Sequence, residues 1–117
     1  MAAPNIVNVA TITGKTAVLA VTTSATAIVT NSAASNKVFK INALYVANID
    51  GTNACDLPVD IFRSSTAYRI ASTISVPADT TLDVISKAIY LEEGDALRLT
   101  AGANSDLEAV CSYEEIS

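Results

Sequence analysis

Residues 37–49 constrain the fold of this chain more than any other stretch. Side chains of an extended backbone point alternately to opposite faces. Phe39, Ile41, Ala43, Tyr45, Ala47 and Ile49 therefore fall on one face, and Val38, Lys40, Asn42, Leu44, Val46 and Asn48 on the other. One face is continuously apolar and the other mixed, as expected for a strand with one side on a core. Asp50-Gly51-Thr52-Asn53 follows as the strongest turn signal in the sequence, Asp-Gly between two strand-like runs. A return strand over about residues 56–64 places Leu57, Val59 and Ile61 inward and Asp60 outward, and Pro58 gives it an edge or irregular start.

The remaining sequence repeats this grammar. Tyr68, Ile70, Ile74 and Val76 share a face with Ser72 between them, and Pro77-Ala78-Asp79-Thr80-Thr81 breaks the run. Residues 82–86 and Ile89-Tyr90-Leu91 read as short strands, followed by the acidic turn Glu92-Glu93-Gly94-Asp95 and the inward pair Leu97 and Leu99. After the turn Gly102-Ala103-Asn104-Ser105-Asp106, the last strand sets Leu107, Ala109, Cys111 and Tyr113 on one face. In the first third, residues 6–13, 15–22 and 26–31 are apolar and β-branched, with Gly14-Lys15 and Ser24 as weak breaks. Helix formers such as Glu, Lys, Gln and Met are sparse, the apolar residues are rich in Val and Ile alongside Thr, and the abundant Ala is mixed with Thr and Ser and not set in helical stripes. The expected fold is all-β: an antiparallel β-sandwich, jelly-roll or immunoglobulin-like, with about eight to ten short strands in a single domain over residues 1–117. Residues 1–30, poor in charge, are read either as ordinary strands or as an arm contributing to a subunit interface.

Composition then narrows the chemistry. The 117 residues include no His and no Trp, four Tyr, two Phe, seven Lys plus Arg and a formal charge of −5. With no His there is no Ser-His or Cys-His nucleophile pair, no His base and no His metal ligand. So few cations are poor at neutralising phosphates, so no nucleic-acid partner is expected. Residues 1–5 lack the basic and apolar regions of a signal peptide, and no run of eighteen apolar residues occurs, so no membrane partner is expected and the protein is taken to fold in a cytoplasm. Cys55 and Cys111 lie more than fifty residues apart without metal-ligand spacing and are read as reduced thiols acting as small hydrophobes.

Few motifs carry chemistry. Gly14-Lys15-Thr16 matches only the end of a phosphate-binding loop, because Val9 stands where that loop needs its first glycine; it reads as a turn between strands. Glu92, Glu93 and Asp95, or Asp50, Asn53 and Asp56, could offer oxygens to Ca²⁺, but neither set fits the twelve-residue calcium loop. A glycosidase dyad would lack aromatic stacking partners. No catalytic, cofactor-binding or metal residue is assigned, and an enzyme is not expected. The candidate interface residues are Arg63, Arg69 and Arg98, each able to pair with a cross-strand carboxylate or reach an acidic neighbour, together with Tyr68 and Tyr90 as exposed contacts.

Several segments in order resemble a known family. Thr22-Thr23-Ser24-Ala25-Thr26-Ala27-Ile28-Val29, the long run from Val38 through Asn48, Val76-Pro77-Ala78-Asp79-Thr80-Thr81-Leu82, Leu91-Glu92-Glu93-Gly94-Asp95-Ala96-Leu97 and the acidic ending Val110-Cys111-Ser112-Tyr113-Glu114-Glu115 are similar to segments of small all-β virion structural proteins of tailed bacteriophages, marine cyanophage-like ones above all. The resemblance implies a non-enzymatic virion component made in the host bacterial cytoplasm. Its expected role is that of a capsid decoration or cement protein on the head exterior, with the neck or tail as the alternative. Its partners would be the major capsid protein or other virion proteins, and it would be a homo-oligomer such as a trimer, without cofactors. Net negative charge suits an outer surface better than a DNA-facing lining. A glycan-binding β-sandwich module is the competing reading.

Overall fold

A computed structural model describes residues 4, 5 and 7–117 and contains nine strands among them. They are β1 (Ile12–Ala20), β2 (Thr26–Thr30), β3 (Val38–Asn48), β4 (Cys55–Arg63), β5 (Thr66–Val76), β6 (Thr81–Asp83), β7 (Ile89–Leu91), β8 (Ala96–Leu99) and β9 (Leu107–Ile116). The first sheet has the order β1-β9-β3-β6, with β7 also paired to β3; the second has the order β2-β8-β4-β5. Every pairing is antiparallel. β6 pairs with Tyr45–Ala47 and β7 with Phe39–Ile41, so together they act as one interrupted strand along the same side of β3. Counted that way, both sheets are four strands wide and almost every connection crosses between them. This is the jelly-roll order, which decides between the two sandwich types expected from sequence.

The core lies between the sheets. Ile41, Leu44, Val46, Leu107, Ala109 and Cys111 of the first sheet face Leu57, Val59, Leu97 and Leu99 of the second, all essentially without solvent exposure. Phe39 and Tyr113 extend it, with ring centroids 5.6 Å apart. The inward set of β9 is the one expected from sequence.

The expected faces of β3 need correction. Its register against β9 slips between Ile41 and Ala43, making Asn42 the extra residue of a β-bulge. Phe39 and Ile41 point inward before the bulge, and Leu44, Val46 and Asn48 point inward after it. Tyr45 and Ile49 are exposed as a result. A bulge inserts one residue and so exchanges the faces of everything beyond it, which strict alternation cannot anticipate.

The Asp50-Gly51 turn is likewise not a hairpin. β4 pairs with β5 and β8, so residues 49–54 cross from one sheet to the other. Asp50 Oδ1 accepts the N–H groups of Thr52 and Asn53, a side-chain-closed turn. Buried Asn48 anchors the crossing: its amide donates to the carbonyls of Asn53 and Val76, and its Oδ1 accepts the N–H of Asp50. The hairpin that does form joins β4 to β5 through Ser64 and Ser65, both at positive φ (52° and 62°). Two consecutive left-handed residues form the type I′ turn that matches strand twist. Gly14-Lys15-Thr16 also differs from expectation: β1 runs through it without a turn, because all nine of its residues pair with β9.

Candidate functional site: an open groove between the sheets

β5 is eleven residues long, but the first sheet sets against it only the three-residue strands β6 and β7. Part of the side of β5 turned toward the other sheet is therefore uncovered. Tyr68, the cross-strand partner of Ile61, remains 59% exposed, and Ile70 and Tyr90 are exposed beside it. Ile61, Arg63, Tyr68, Ile70, Ile89 and Tyr90 line a groove of about 420 Å³.

An arginine clamp fixes one end of the groove. Arg63, the last residue of β4, donates from Nε to Asp95 Oδ1 at 2.7 Å and from Nη2 to Asp95 Oδ2, and Nη2 also reaches Glu92 Oε2 at 2.8 Å. Asp95 is 1% exposed, and its Oδ2 also accepts the Glu92 N–H at 2.8 Å. Burial alone would raise the Asp95 pKa. The Arg63 bonds and the Glu92 N–H outweigh it and hold the carboxyl below its ordinary range. The same contacts push the Arg63 guanidinium pKa up. Gly94 makes the turn possible at φ 89°, a conformation that strains any residue with a Cβ. Its N–H donates to Asn31, and buried Asn31 in turn donates to the carbonyls of Lys37 and Leu91.

Arg69 and Arg98 lie elsewhere. Ala27, Arg98, Asp60 and Arg69 form a cross-strand row on the outer face of the second sheet. Arg98 donates from Nε to Asp60 Oδ1 at 2.9 Å while its guanidinium lies 4.0 Å above the Phe62 ring. Asp60 is on the outward side, yet Arg98 covers it and leaves it 3% exposed. Arg69 donates to the Ser72 carbonyl at 3.2 Å.

Of the five candidate residues, the structure thus gathers Arg63, Tyr68 and Tyr90 into one groove and puts Arg69 and Arg98 on a different face. Sequence reasoning passed over Ile61, Ile70 and Ile89 as lining and Asp95 as the partner of Arg63. The Gly-Asp turn was a usable signal for Asp95, since Asp in such a turn is placed to accept backbone N–H groups. Both cysteines are free and buried, in opposite sheets, and burial pushes the Cys111 thiol up to about 11. Among the described residues no three His, Cys, Asp or Glu side chains come together as a metal site.

No family model and no curated protein matches the sequence. A solved chain from Bacillus endospore appendages, described as forming a novel family of disulfide-linked pili, is similar in structure, with a TM-score of 0.53. The match covers 92% of this chain and 88% of that one at 13% identity. The likeness is one of fold. The groove itself offers three isoleucines and two phenol rings with one arginine already held by two carboxylates.

Proposed function

We propose that this chain is a non-enzymatic structural subunit that works by packing against copies of itself and against other proteins of a larger assembly. The observation that carries this reading is the groove, where Tyr68, Ile70 and Tyr90 leave an apolar, aromatic surface uncovered on a domain whose core is otherwise closed. Exposed aromatic clusters with an adjacent arginine are typical of contact hot spots. A jelly-roll shared with a pilus protein is compatible with the role. Both cysteines are buried, and burial raises the Cys111 pKa, which disfavours the thiolate that disulfide exchange at that residue would need.

The assembly we favour is a bacteriophage particle, with the protein as a decoration or cement protein on the head exterior, contacting the major capsid protein. A neck or tail position comes second. The net charge of −5 suits an outer surface. Sedimentation of the purified protein is expected to show a multimer, and mass spectrometry of purified particles is expected to find the chain. A strict monomer absent from particles would refute the reading. The groove also favours a second reading, glycan recognition, because Tyr68 and Tyr90 share it. Glycan-array binding that disappears in Tyr68→Ala or Tyr90→Ala would select that alternative.

A further inference from the structure

The edges of the two sheets are not alike. β2 has five residues and a register slip between Ala27 and Val29. β5 is long, but its pairing with β4 slips twice, between Leu57 and Val59 and between Val59 and Asp60. β6 and β7 have three residues each. Short length, bulges and charged side chains, Lys above all, are devices by which proteins blunt edges against pairing with other chains. β1 is neither short nor bulged, and its single charge, Lys15, is tied back to Glu115 of the neighbouring strand. Its nine residues pair with β9 in an unbroken register from Ile12 opposite Ile116 to Ala20 opposite Glu108, and it contains no proline. Residues 10 and 11 continue along β9, through N–H bonds to Ser117, and do not cover the outer side of β1. Among the described residues, nothing pairs with that side.

The sequence of β1 also matches itself. We propose that β1 pairs antiparallel with β1 of a second copy across a two-fold axis at Thr16, joining the first sheets of two protomers edge to edge. This contact rests on the structural-subunit reading above and names one of its interfaces. All nine residues overlap only in this register. On the outer face it sets Ile12 opposite Ala20, Gly14 opposite Val18 and Thr16 opposite Thr16 of the copy, so each large side chain meets a small one. Val18 is 75% exposed and Ile12 56% exposed, and both gain a neighbour. Gly14 is otherwise unexplained: its φ is not positive and a Cβ there would meet nothing within 4 Å, so its own chain does not require a glycine. A glycine inside a strand weakens it and commonly marks close approach by another chain. The one charge in β1, Lys15, faces Ala17 of the copy and is already bound to Glu115 at 3.1 Å, so pairing brings no uncompensated charges together.

The test uses the full chain in sedimentation equilibrium and in oxidative cross-linking. Thr16→Lys is expected to leave the melting temperature of the dilute protein nearly unchanged while weakening association at least about tenfold, because it sets two like charges directly opposite each other at the axis. An equimolar mixture of Thr16→Lys and Thr16→Glu is expected to recover most of that loss, because a mixed pair sets opposite charges across the axis. Thr16→Cys is expected to form a disulfide-linked dimer, because the two Thr16 residues meet at the axis and the native cysteines are buried. If the wild type associates but Thr16→Lys has no effect and Thr16→Cys does not cross-link, the β1 contact is overturned and the structural-subunit reading survives. A wild type that stays monomeric at every concentration overturns the contact, and its absence from particles as well removes the reading on which it rests.

Discussion

The guanidinium of Arg63 holds both carboxylate oxygens of Asp95, thirty-two positions further along the chain, and so ties the end of β4 to the turn leading into β8. Asp95 is buried and also caps the Glu92 N–H, so its removal strands a backbone donor as well as an arginine. Asp95→Ala is expected to cost about 2–3 kcal/mol in chemical denaturation. Glu92→Gln, which alters only the exposed arm of the same cluster, is expected to change stability by less than about 0.5 kcal/mol. Equal losses in the two variants would mean that the clamp is a surface effect.

Acid sensitivity follows from the same carboxylate and from Glu115. The carboxyl of Glu115 is pushed up by burial but held below its ordinary range by Lys15 and Lys37, and Asp95 is also lowered. A carboxyl whose folded pKa lies below its unfolded value contributes stability above the unfolded pKa and loses it as pH falls through the folded one. The urea midpoint is therefore expected to be flat between about pH 5 and 7, since the chain has no His, and to fall below about pH 4. Asp95→Ala should flatten that fall; an unchanged acid limb would show that other groups control it.

The Ser64-Ser65 hairpin is held in left-handed geometry by residues that do not favour it. Asn and Gly at these positions suit a type I′ turn and reduce the strain. Ser64→Asn/Ser65→Gly is expected to stabilise the fold by about 1 kcal/mol, read as a higher melting temperature. A lower one would show that the serine hydroxyls matter more than the backbone.

Asn48 satisfies two carbonyls and one N–H, from the 49–54 crossing and from the end of β5, while buried at the end of β3. Asn48→Ala leaves those groups without their partner and is expected to cost about 2–3 kcal/mol by equilibrium unfolding. A loss under about 0.5 kcal/mol would mean that water replaces the side chain.

Much of the fold is legible along the chain because strand chemistry is local. The inward set Leu107, Ala109 and Cys111, the short strands before and after Glu92-Glu93-Gly94-Asp95, and the inward Leu57 and Val59 all follow from alternation and turn residues. The candidate site is less legible. Arg63, Tyr68 and Tyr90 are recognisable as contact residues, but their convergence depends on β7 standing across from β5, which no local signal encodes. Arg69 and Arg98 look the same in sequence and belong to another face.

The sequence by itself determined that this protein is a β-sandwich of short strands without a histidine-based site, because hydrophobic period, turn residues and composition act over a few residues at a time. Tertiary structure alone decided the jelly-roll order, the bulge at Asn42 that exchanges the faces of β3, the serine hairpin and the groove. Each of these depends on which strands become neighbours. That choice is made by packing between segments far apart in the chain, where an Asp-Gly turn can cross between sheets and a Ser-Ser turn can close a hairpin.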